Sequence, residues 1–215
     1  MAKKEEELLK GLLVPVAIST VGVVVFAVLA QTFVSGRRAF YQDGQYLVNV
    51  RYPGQFNDIR SFVQPDNPDV MAICSRIGPD PRGLYDFVCR NIDYRRDIGE
   101  FWAFPSEVLA KGTADCEDTS NLLTSLLLCG GNNAYTVLGE YQGYGHAWCQ
   151  LNGEILETTY TSARPVSDPQ DYCPYVCFNH QEVIELWTGA LGEVFELGRD
   201  EELKLNLMAR MLEAV

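Results

Sequence analysis

The stretch Gly112-Thr113-Ala114-Asp115-Cys116-Glu117-Asp118, followed by Leu122, Leu123, Leu126 and Leu127 and closed by Gly130-Gly131, decides how this chain is read. Leucines at that spacing share one face of a helix and are buried together. Asp115 is a residue type that caps a helix N-terminus, and the glycine pair marks the end. Cys116 therefore opens a buried helix. A thiol in the first turn feels the positive end of the helix dipole and free backbone N–H groups, which favour thiolate and can donate to an oxyanion. Glu117 and Asp118 act in the opposite sense, because neighbouring carboxylates disfavour a further negative charge. A histidine partner is needed to offset them.

The chain holds two histidines, and one lies in Gly145-His146-Ala147-Trp148. Residues 134–141 and 145–151 alternate as strands, and Asn152-Gly153 is a strong two-residue hairpin signal leading into a strand over 154–159. A two-residue turn pairs Leu151 with Glu154, Trp148 with Glu157 and His146 with Thr159. Glu157 then lies diagonal to His146 on the same face, and Thr158 points to the other. Cys116 as nucleophile, His146 as base and Glu157 as orienting acid make a triad suited to acyl transfer from an amide. The Cys116 backbone N–H is the main oxyanion donor expected, with Trp102, Asp115 and Trp148 as further residues for the oxyanion or substrate.

Trp102, Pro105, Glu107, Leu109, the Gly112 to Asp118 stretch, the leucine-rich helix and Gly145-His146-Ala147-Trp148 together resemble the transglutaminase-like family, over about residues 84 to 162. The resemblance implies a papain-like α+β fold, with the nucleophilic cysteine at the N-terminus of a buried helix packed on an antiparallel sheet. The family's Cys, His and Asp triad carries over onto Cys116 and His146. Its third member falls on Glu157, one methylene longer than Asp, and the usual Gly-Asp-Cys reads Ala114-Asp115-Cys116. The implied activity is that of a cysteine peptidase or amidase, or an acyltransferase, acting on a protein or peptide. The alternative is an inactive domain of the same fold serving as a structural or interaction protein. No cofactor is expected.

Outward from this block, the sequence divides into a charged N-terminus (1–10), an apolar segment (11–36), a connecting region (37–81), the main domain (82–180) and C-terminal helices (181–215). Gly11 to Gly36 holds no charged residue and is long enough to cross a bilayer as one helix, so a single-pass membrane protein is expected, tethered by that segment. A cleaved leader ending near Ala30 is the rival reading. Basic residues stand on both sides, which leaves the orientation open. Helices are expected over 82–91, from Pro105 to Gly112, over 181–197 and over 201–214.

The net charge is −12, and residues 1–38 carry more basic than acidic side chains, so the remainder is strongly acidic. Phosphate neutralisation needs clustered Lys and Arg, which excludes nucleic acid as the expected partner. Seven cysteines without a dense small-scaffold pattern leave the redox compartment and oligomeric state open. Cys173, Cys177 and His180 have a spacing that suits zinc but lack an evident fourth ligand, so no metal is expected.

Overall fold

The computed structural model describes residues 38–96 and 101–197. Strands β1 (Ala39–Gln42) and β2 (Gln45–Val48) form a hairpin whose turn residues Asp43 and Gly44 both take positive φ, and β3 (Asn57–Asp58) extends it to a three-stranded sheet. A short 3-10 turn, Ile59–Phe62, follows. Helix α1 (Pro68–Ile77) is capped by the Asn67 side chain and α2 (Pro81–Asn91) by that of Asp80, each with proline in its first turn. β4 (Asp93–Tyr94) pairs in parallel with β5 (Thr113–Ala114), and α3 (Pro105–Lys111) ends where Gly112 turns left-handed.

Helix α4 (Cys116–Cys129) is the axis of the domain. Leu122, Leu123, Leu126 and Leu127 are fully buried, each contributing about 2 kcal/mol by area removed from water. Ser120, Thr124 and Ser125 are just as buried, because α4 has helices α1 to α3 on one side and the main sheet on the other. Their hydroxyls are satisfied locally. Ser125 Oγ donates to the Asn121 carbonyl and accepts from Gln64 N, while Thr124 Oγ1 accepts from Thr136 Oγ1.

The main sheet has the order β10-β9-β6-β7-β8, all neighbours antiparallel: β6 (Ala134–Tyr141), β7 (Tyr144–Leu151), β8 (Glu154–Leu156), β9 (Tyr172–Phe178) and β10 (Val183–Glu185). Thr136, Leu138, Ala147, Cys149, Val176 and Phe178 line its α4 side. Val137, Trp148 and Tyr172 form a separate cluster on the other. Opposite His146 stands Gly139, where the β6–β9 register shifts by a bulge. A Cβ at Gly139 would collide with the Cys173 carbonyl and press on the Trp148 ring, so only glycine fits.

The mixed fold, the helix opened by Cys116 and the Asn152-Gly153 hairpin agree with the sequence reading, with Leu151 opposite Glu154. Other segments differ. The third strand stops at Leu156 instead of Thr159, since Glu157 turns its carboxylate back onto Thr159 N. Region 37–81 contains a sheet and helix α1. Val183–Glu185 is a strand where a helix was expected, because the Asn179 side chain accepts from Gln181 N and Glu182 N and folds the chain back beside β9. Helix α5 is described over 190–197, and the helix expected over 201–214 lies outside the described residues.

The membrane helix expected over 11–36 also lies outside them. Among the described residues no helix is long and apolar enough to cross a membrane. The longest of these, α4, has 14 residues and spans about 21 Å, short of a hydrocarbon core of about 30 Å.

Candidate functional site

Three local features assemble the site. The first is the start of α4, which presents Cys116 as its first helical residue after Asp115. Asp115 occupies the cap position, yet its side chain makes no capping hydrogen bond; its carbonyl instead accepts from Thr119 N and Thr119 Oγ1, at 3.1 and 2.7 Å. The second is β7, whose early half runs past the end of β8 and carries His146. The third is the turn after β8, which carries Glu157.

His146 Nε2 lies 2.8 Å from Glu157 Oε2, with the histidine side chain 15% exposed and the glutamate 2%. Glu157 Oε1 accepts from Thr159 N at 2.9 Å and Thr159 Oγ1 at 2.7 Å, and Oε2 also accepts from the Tyr172 hydroxyl at 2.8 Å. Burial pushes the Glu157 carboxyl up, but the His146 bond and charge and the Thr159 donors outweigh it and leave the group at about 2. It is an ionised carboxylate at neutral pH. Its backbone carbonyl is held as well, by the Tyr85 hydroxyl at 2.9 Å.

Thr158 points to the opposite side, as the strand alternation requires, and its hydroxyl meets Thr119 Oγ1 at 2.8 Å and Ser120 Oγ at 3.2 Å. These bonds tie the first turn of α4 to the residue after Glu157. Cys116 is half-buried, and the backbone of Ala147, next to His146, is near enough to favour its thiolate. Helix start, strand and turn are thus brought to one place.

The thiol is held differently from the imidazole. The Cys116 thiol donates to Glu117 Oε2 at 3.2 Å. Burial, then the charges of Glu117 and Asp115, push that thiol well above the ordinary range, and the Ala147 backbone works against them. Tyr94 stands beside the same group: burial and the proximity of Cys116, Asp115 and Glu117 push its hydroxyl up to about 12, and the side chain remains half exposed. Among the described residues the hydrogen-bond partner of the imidazole is Glu157, not the thiol.

The remaining expected residues fall as follows. Trp102 is 3% exposed, stacked near Phe178 and Phe195 and edge-on to Phe62, in the apolar cluster against which Cys116 packs. Trp148 lies on the His146 face, its ring 6.3 Å from the imidazole. Cys173 and Cys177 are free thiols on β9, and among the described residues no group of three His, Cys, Asp or Glu side chains is arranged to hold a metal. Tyr172 has no place in the sequence reading, which positions Thr158 and Thr159 on the strand without giving either a role. The alternation after Asn152-Gly153 carried the signal for Thr158 and Thr159; Tyr172 depends on the bulge at Gly139, which has no legible signature.

A family model described as the CEP76 peptidase-like domain matches residues 100–183, which include Cys116, His146 and Glu157. The centrosomal protein of 76 kDa from Homo sapiens is 30% identical over an alignment covering 57% of this chain and 24% of that protein. Its Pongo abelii counterpart is 32% identical over 118 residues, 47% of this chain and 18% of that protein. The chain therefore spans less than a quarter of the curated relatives it matches. Among solved structures, LapG of Legionella pneumophila superposes with a TM-score of 0.45 at 17% identity, covering 61% of this chain and 83% of the other.

These findings correct one expectation. The relatives are named as centrosomal proteins, and no helix among the described residues is long and apolar enough to cross a membrane, so the single-pass membrane location is withdrawn.

Proposed function

We propose that this domain is a thiol-dependent amide hydrolase or acyltransferase acting on protein or peptide substrates, with Cys116, His146 and Glu157 as its triad. The observation that carries the reading is the buried, ionised Glu157 bonded to His146 Nε2, one residue from Ala147, whose backbone favours the Cys116 thiolate. An ionised carboxylate requires the proton on Nε2, which leaves Nδ1 as the lone pair available to a thiol. In the reaction His146 takes the thiol proton, the sulfur adds to the amide carbonyl carbon, and the Cys116 N–H at the start of α4 donates to the oxyanion. Collapse breaks the C–N bond, and the imidazolium protonates the departing amine. Water, or a second amine, then adds to the thioester with His146 as base and restores the thiol.

The Cys116 to Glu117 hydrogen bond favours a second reading, in which the thiol stays protonated and the domain binds peptides without turnover. Incubation of the full chain with p-nitrophenyl acetate separates the two. The triad reading expects a burst of nitrophenolate and an acetyl group on the Cys116 peptide by mass spectrometry, lost in His146→Ala. Acetylation spread over several thiols, or unchanged in His146→Ala, favours the binding module.

A further inference from the structure

Glu157 Oε2 is shared: the His146 ring and the Tyr172 hydroxyl both lie 2.8 Å from it. Tyr172 is the donor in its pair, since burial and the Glu157 charge push the phenol pKa up and the carboxylate can only accept. Its ring has little freedom. Tyr141 packs 4.5 Å from it, Trp148 meets it edge-on at 5.2 Å, and the imidazole itself lies 6.2 Å away. Tyr141 is anchored in turn through its hydroxyl to Asp168, at 2.6 Å.

A carboxylate bonded to one histidine alone can rotate about its last torsion and offer either oxygen in several directions. Here Thr159 occupies Oε1 with two donors and Tyr172 occupies Oε2 with one, which fixes both the plane and the lone-pair direction left for His146. We propose that Tyr172 is a positioning residue, which through Glu157 holds the His146 ring in one orientation with the proton on Nε2. The inference rests on the triad reading for its catalytic consequence, though its structural content stands apart from turnover. Tyr172 bonds the carboxylate and packs on the Tyr141, His146 and Trp148 rings, so it acts by removing alternatives open to the base.

The test is long-range 1H–15N NMR of the histidine ring nitrogens in the full chain above neutral pH, with the two histidines assigned through His180→Gln. The wild-type His146 spectrum should be that of a single Nε2–H tautomer. In Tyr172→Phe the two ring nitrogen shifts should move toward each other as the Nδ1–H form enters, and Cys116 acetylation should slow by about three- to tenfold. Ring shifts unchanged in Tyr172→Phe would overturn the proposal. Should that variant fail to fold, the wild-type chain still decides: a slowly exchanging Tyr172 hydroxyl proton with a nuclear Overhauser contact to the His146 Nε2 proton is required, and its absence overturns the assignment. A held tautomer without any acetylation would refute the proposed enzyme activity and leave the positioning role standing.

Discussion

The two halves of the candidate site differ in how they treat charge. On the His146 side, four hydrogen bonds converge on one buried carboxylate and keep it ionised. On the Cys116 side, two carboxylates flank a thiol and keep it protonated. Under the proposed triad, such a site has its base and orienting acid arranged in advance and its nucleophile at rest, and the thiolate forms as the proton moves to His146. In many thiol sites a Cys–His ion pair pre-exists; here the balance is set against it by Glu117 and Asp115.

The largest effect expected from breaking the ordered half is on stability. Glu157→Ala strips the acceptor from His146, Tyr172 and Thr159 at once in a site 2% exposed, and should lower stability by about 3–5 kcal/mol in urea unfolding. Gly139→Ala should cost about 2–3 kcal/mol, because the new methyl meets the Cys173 carbonyl and the Trp148 ring at the bulge beneath His146. Both variants act on the same half, so their separate costs show whether the carboxylate or the bulge dominates.

The ordered half also has a pH signature. Glu157 titrates at about 2 in the folded chain against an ordinary 4.5, so the unfolded chain binds more protons between those values and stability rises with pH across them. The contribution is fully present above about pH 4.5 and is lost as pH falls toward 2. Acid unfolding followed by circular dichroism should show a steeper loss in that window for wild type than for Glu157→Gln. The resting half gives the smallest effect in energy: Glu117→Gln removes one charge and the acceptor of the thiol, lowers the Cys116 pKa and should speed its alkylation at neutral pH by on the order of tenfold.

Much of this architecture was legible because it rests on local chemistry. The leucine period fixed α4, and Asn152-Gly153 fixed the hairpin register closely enough to bring Glu157 onto the His146 face with Thr158 on the other. Helix α1 had its own signals in Asn67, Pro68 and the spacing of Val70, Cys74 and Ile77, but they were obscured by the turn-rich composition around them. The helix read over 181–197 failed at its start because one side chain, Asn179, bends the chain before the helical period begins at residue 190. Tyr172 was out of reach for a different reason. Its place opposite Tyr141 follows from a register shift between distant strands, and no local pattern encodes that.

The most direct test of the two-half account is the rate of iodoacetamide labelling at Cys116 from pH 6 to 9, read on the Cys116 peptide by mass spectrometry. The full chain is compared with Glu117→Gln, His146→Ala and the double variant. The account predicts slow labelling in wild type at neutral pH, faster labelling in Glu117→Gln, and a smaller gain when His146 is also removed, since no imidazolium is then left to stabilise the thiolate. Labelling that is the same in all four chains, or a Glu117→Gln gain of the same size with and without His146, would contradict the coupling of Cys116 to His146 on which the proposed triad depends.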